Sequence, residues 1–130
     1  MEHVLFSDGN TKKIGWKIQT NDFIVEQKRE HPDIYLDKVT NQQSKYIALH
    51  VGLFWSIGIF IIKNQDIVKL VLDDKIMMEH LSGNKKSPDE FIEKRKFFIR
   101  QLIDQRKLKI QYELVAPDST CLLKIESKFV

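Results

Sequence analysis

Two periods alternate along this chain. His3 to Ser7 (HVLFS) is rich in strand formers, and the DGN after it is turn chemistry. Ile14 to Gln19 (IGWKIQ) and Phe23 to Gln27 (FIVEQ) alternate apolar with polar positions, and the TND between them predicts a hairpin. EHPD breaks that pattern, and helical spacing then predicts a helix from Gln42 to about Ile57, capped by Thr40 or Asn41. The β-branched run Ile67 to Leu72 (IVKLVL) reads as a strand buried on both faces. DDKIMMEHL predicts a short helix ended by SGN. SPDE marks the next start, with Ser87 as N-cap, Pro88 at the first helical position and Glu90 closing a capping box. Phe91, Phe98 and Leu102 share a face with Ile92, Ile99 and Ile103, which carries this helix to about Lys107. Leu108 to Val115 (LKIQYELV) alternates again as a strand, and the tail APDSTCLLKIESKFV is open between a short helix and an irregular end. The order predicts an antiparallel hairpin unit joined to a parallel αβ unit in one mixed sheet.

Composition narrows the picture. A chain of 130 residues with 42% hydrophobic and 30% charged residues fits a single domain spanning 1–130. The net charge of +3 permits a polyanionic partner without demanding one. Cys121 is the single cysteine, so no internal disulfide forms, which suits a reducing compartment. The start MEHVLFSDG has no basic stretch followed by an apolar run, so the expectation is a cytoplasmic protein without a secretory signal. Ile47 to Ile62 is almost wholly apolar but shorter than the roughly 20 residues a bilayer needs, and it reads as a buried helix entering a turn. No membrane partner is expected.

Four fragments then carry a resemblance. FSDG at Phe6 to Gly9 looks like the first-strand motif of the ribonuclease H type I family, an apolar residue followed by Asp-Gly. TNQQSKYIAL from Thr40 looks like that family's Thr-Asn-Asn-x-x-Glu-x-x-Ala-Leu, and GLFW continues as its Gly-Leu-x-x. LVLDDKIMMEHLSG looks like its strand-to-helix motif, and LVAPDSTCLLK occupies the place of its final loop and helix. The resemblance covers nearly the whole chain. It implies an α/β fold: an RNase H-like mixed five-stranded sheet, three antiparallel N-terminal strands plus two parallel, with helices on both faces. It also implies a reaction, cleavage of the RNA strand of an RNA–DNA hybrid by two magnesium ions held among four carboxylates. Asp8 matches the first of these and Asp73 the third.

The other two depart. On the family pattern Lys45 stands where the helix glutamate belongs, and counting on from Val115 puts Lys124 at the final aspartate. Two divalent ions about 4 Å apart need several carboxylates to offset their mutual repulsion. An ammonium about 4 Å from such an ion adds repulsion of about 8 kcal/mol at an effective dielectric near 20. The expectation is that Lys45, with Lys124, neutralises Asp8 and Asp73 as a metal would, leaving no cofactor or only weakly bound magnesium or manganese. Asp118 or Glu126 is a substitute for the missing tail carboxylate, and Asp74 an alternative to Asp73.

The binding residues fare better. Asn10 follows the first-strand motif, although the loop there, NTKKIG, is shorter than the family's, and Lys12 and Lys13 add phosphate attraction. Thr40 and Asn41 match the family's backbone-contact residues at a helix N-terminus, a place suited to phosphate, and Gln42 replaces the second Asn. A helix cap alone explains Thr40 and Asn41 as well. EKRK at Glu93 to Lys96, with Arg100, Arg106 and Lys107, reads first as a solvated face and second as a basic grip on a duplex. Trp16, Trp55, Met77 and Met78 read as packing, His80 as exposed, and no histidine has metal-ligand spacing. Three functions follow: a noncatalytic module binding a nucleic-acid duplex (RNA–DNA hybrid or RNA), a working metal-dependent ribonuclease H, or a scaffold for a protein partner.

Overall fold

A computed structural model describes residues 1–116. The elements run β1 (Glu2–Gly9), β2 (Lys13–Thr20), β3 (Phe23–Glu30), α1 (Asn41–Gly58), β4 (Ile67–Leu72), α2 (Lys75–Ser82), α3 (Glu90–Arg106) and β5 (Lys109–Leu114). The five strands form one sheet in the order β3-β2-β1-β4-β5. β1, β2 and β3 pair antiparallel, and β4 joins β1 and β5 in parallel. This is the mixed sheet that the order of elements predicts. Asn21, at φ 56°, makes the tight β2–β3 turn.

Register decides what each face does. Leu5 lies opposite Ile18 and beside Leu70, and all three are fully buried. A Cβ added to Gly52 of α1 would meet Trp16 at 2.9 Å, and Tyr112 of β5 reaches the Leu81 carbonyl of α2. Both helices therefore cover the face of Leu5, Trp16 and Leu70, while α3 packs on α1. Each fully buried leucine there contributes about 1.5–3 kcal/mol. The opposite face carries Phe6, Lys17, Lys69 and Glu113, with the Lys17 ammonium 4.5 Å from the centre of the Phe6 ring. A helix on this second face, expected from the resemblance, is not found among the described residues, and the tail, with Lys124, Asp118, Cys121 and Glu126, lies outside them. Among the described residues no helix is long and apolar enough to cross a membrane.

Several local readings need correction. Asp89, not Ser87, caps α3: its carboxylate accepts from the N–H groups of Phe91 and Ile92. Pro88 lies before the cap and Glu90 is the first helical residue. A carboxylate meets the positive end of a helix better than a hydroxyl does, so Ser87 is left to accept from the Asp89 N–H. His80 is buried rather than exposed, with its ring between the Tyr46 hydroxyl (2.7 Å) and the Glu93 carboxylate (2.5 Å). The basic run of α3 divides: Lys94, Arg106 and Lys107 are exposed, as a solvated face requires, while Arg95, Lys96 and Arg100 are engaged within the fold. Lys96 donates to the carbonyls of Gly83 and Lys85, Arg100 to those of Leu81 and Gly83, and Arg95 to the Tyr35 hydroxyl and His50. Lys96 and Arg100 thus close the C-terminal end of α2 and the segment just after it, where carbonyls lack helical partners.

Candidate functional site

Asp8 and Asp73 meet because of the parallel pairing of β1 with β4. Phe6 is the register partner of Val71, so the residues two further along, on the same side of each strand, emerge together at the carboxyl ends. α1 supplies the third group. Its N-cap is Thr40, whose hydroxyl accepts from the Gln43 N–H while the Gln43 side chain accepts from the Thr40 N–H. That reciprocal cap fixes where the first turn begins.

Gly9 fixes how close that turn comes. A Cβ added there would lie 2.4 Å from the Ser44 hydroxyl and 2.5 Å from the Ser44 carbonyl oxygen. Only glycine lets β1 and α1 approach so nearly. His31 braces the contact, with Nε2 2.7 Å from the Ser44 hydroxyl and 3.1 Å from the Asn10 carbonyl. Burial lowers its pKa, opposed by the Asn10 hydrogen bond. Gly9, His31 and Ser44 thus form a positioning unit that sequence patterning gave no sign of beyond the Asp-Gly pair itself.

The next residue along α1 is Lys45. Its Nζ donates to Asp73 Oδ1 at 2.7 Å and lies 3.8 Å from Asp8 Oδ1. The Asp73 side chain is 5% exposed, that of Asp8 15% and that of Lys45 21%. Burial, then the Asp73 charge, raises the Asp8 pKa, while Lys45 and the Gly9 N–H oppose them. Burial acts to lower the Lys45 pKa, but the hydrogen bond to Asp73 and the charges of Asp73, Asp8 and Asp74 raise it overall. The ammonium therefore stays charged between two acids at neutral pH.

Asp74 is turned to another task. It caps α2 by accepting from the Met77 N–H, and its second oxygen is 3.4 Å from the Gln42 amide. Among the described residues no group of three or more His, Cys, Asp or Glu is placed to hold a metal ion. Two carboxylates with an ammonium bonded to one of them carry a local charge of −1. A pair of divalent ions does not fit that donor set, because each would face the ammonium as well as the other ion.

The remaining predicted residues lie just after β1 and at the start of α1. Asn10 Oδ1 accepts from the N–H groups of Lys12 and Lys13 and so builds the β1–β2 turn. Lys12 Nζ pairs with Asp37 at 2.7 Å. Thr40 is the cap, Asn41 the exposed first helical residue, and Gln42 reaches toward Asp74. The first turn of α1 thus opens beside Asp73 and Asp74. Lys124 lies outside the described residues.

The architecture is similar to that of solved ribonucleases H. The enzyme from the halophilic archaeon Halobacterium salinarum matches with a TM-score of 0.77 at 18% identity, over 94% of this chain and 91% of that one. The N-terminal ribonuclease H domain of a Mycobacterium tuberculosis protein, solved as a fusion with maltose-binding protein, matches with a TM-score of 0.74 at 21% identity, over 94% and 92%. LC11-RNase H1, solved in complex with an RNA/DNA hybrid, matches with a TM-score of 0.69 at 14% identity, over 89% and 86%. No protein-family model and no curated protein matches the sequence. The chain has the ribonuclease H-like fold. At these identities the likeness speaks for architecture alone.

Proposed function

We propose that this ribonuclease H-like domain is a noncatalytic module that binds a nucleic-acid duplex, an RNA–DNA hybrid or an RNA duplex. The observation carrying it is the Lys45 ammonium, 2.7 Å from Asp73 and 3.8 Å from Asp8. An ammonium balances these carboxylates without supplying what the two-metal reaction requires, an activated water and a stabilised leaving oxygen. Lys124 adds to this reading from the sequence side.

The binding half rests on α1. Its N-terminus presents backbone N–H groups and the positive end of the helix dipole beside Thr40, Asn41 and Gln42, a natural receiver for phosphate. A structural neighbour was solved holding an RNA/DNA hybrid, which supports a duplex as the class of partner. Contacts of this kind read backbone charge rather than sequence, so affinity falls as salt rises.

The test is a labelled RNA–DNA hybrid incubated with the protein in magnesium or in manganese. The expected result is salt-dependent binding that survives chelation of the metal, with both strands intact. Metal-dependent cleavage of the RNA strand would instead restore a working ribonuclease H. No binding at low salt would remove the nucleic-acid reading altogether.

A further inference from the structure

A second surface lies along the seam of α1 and α3, and the duplex reading does not use it. Three aromatic residues lie there while remaining open to solvent: Phe54 is 63% exposed, Phe60 78% and Phe98 41%. They are contiguous. Phe98 stacks on His50 at 5.7 Å between ring centres and meets the Phe97 ring at 5.8 Å. Phe54 lies one turn beyond His50 on α1, and Leu102 one turn beyond Phe98 on α3. Phe54, Phe60 and Leu102 then line one groove of about 600 Å³ at the carboxyl ends of the two helices.

The backbone displays Phe60 rather than merely leaving it out. Its φ is 65°, a left-handed conformation that bulky residues seldom adopt. A monomer's largest apolar patch is commonly a few hundred Å² and often functional. Three phenylalanines, each offering about 150–250 Å² when fully open, bring this one into that range.

Charge identifies the occupant. Lys63 and Arg106 line the groove, and Lys94 lies within one turn of Phe97 and Phe98. α1 contains no acidic residue, and Asp104 is the acid nearest in sequence to Leu102 and Arg106 on α3. A second copy on the same patch would bring these cations against one another. We propose that the groove receives an amphipathic helix of a partner protein, its apolar stripe on Phe54, Phe60 and Leu102 and its flanks acidic. The geometry is that of a helix laid in a hydrophobic groove between two others.

The test uses a displayed library of 18-residue helices with a fixed Leu/Phe stripe and randomised flanks, selected on the full chain. The expected result is enrichment of Asp and Glu in the flanks, with affinity falling at least tenfold in Phe54→Glu and in Phe60→Glu. Both side chains are exposed, so each variant should melt as the parent does, and Phe60→Ser serves as a third, charge-neutral variant. Three results would overturn the proposal: no enrichment of acidic flanks, selected helices held equally well by all three variants, or a parent that sediments as a concentration-dependent dimer lost in Phe54→Glu. Single-stranded RNA competing with the selected helices would overturn it too, by making the patch a stacking surface. None of these outcomes depends on the site around Asp8 and Asp73.

Discussion

Replacing Lys45 with methionine keeps an unbranched stem and removes only the ammonium. The bond to Asp73 belongs to the charge-assisted class worth about 1.5–3 kcal/mol. The second acid, Asp8 at 3.8 Å, adds a gross attraction of about 4 kcal/mol at an effective dielectric near 20. Both gains are offset in the parent by the hydration that the ammonium gives up. Breaking a fully buried pair costs about 3–5 kcal/mol, and this one keeps some contact with water. The expected loss at pH 7 is about 2–3 kcal/mol, or roughly 10 °C in Tm for a domain of this size.

The pH dependence separates charge from packing. Lys45 has a raised pKa, so its stabilisation is complete below the ordinary lysine value and disappears as pH rises through the folded one. Asp8 also has a raised pKa, so its charge opposes folding at neutral pH, and that opposition eases as pH falls. In Lys45→Met the two acids face each other uncompensated, and protonating one relieves them. Urea denaturation at pH 7 and pH 4.5 should therefore show most of the loss at pH 7 and much less at pH 4.5. A loss below about 0.5 kcal/mol at pH 7, or the same loss at both, would refute the electrostatic reasoning.

Three further outcomes are expected. His50 accepts from Arg95 through Nδ1, and burial with the Arg95 charge lowers its pKa to about 4; an NMR titration should find it neutral at pH 5, with stability falling as pH drops from about 6.5 toward 4. Gly9→Ala should cost about 1–3 kcal/mol in a denaturation curve, because the new methyl meets the Ser44 backbone as well as its hydroxyl, and the backbone cannot move aside as a side chain can. Arg100→Met leaves the Leu81 and Gly83 carbonyls without this donor and should cost about 1–3 kcal/mol, with faster proteolysis around residues 83–87 as the check.

Much of this molecule is legible in its sequence, for identifiable reasons. The strands of the hairpin and the helix after Thr40 follow from local periodicity and turn chemistry, which depend on near neighbours. The meeting of Asp8, Lys45 and Asp73 follows from motif order once the sheet is mixed, since parallel neighbours end side by side. What stayed hidden depends on partners far along the chain. SPDE contains two competent caps, and nothing local says that Asp89 aims at the helix while Ser87 does not. His80 sits beside the exposed Glu79, yet Tyr46 and Glu93 make a buried place for its ring. Lys96 and Arg100 look like a solvated run because their acceptors, the carbonyls of residues 81 to 85, come from another helix end.

The most direct measurement is a calorimetric titration with manganese of the parent and of the double variant Lys45→Glu, Lys124→Asp. With an ammonium between Asp8 and Asp73, the parent should show no binding below millimolar manganese, and the double variant should gain it together with a rise in Tm on adding metal. Tight two-site binding by the parent would contradict the replacement of metal by Lys45.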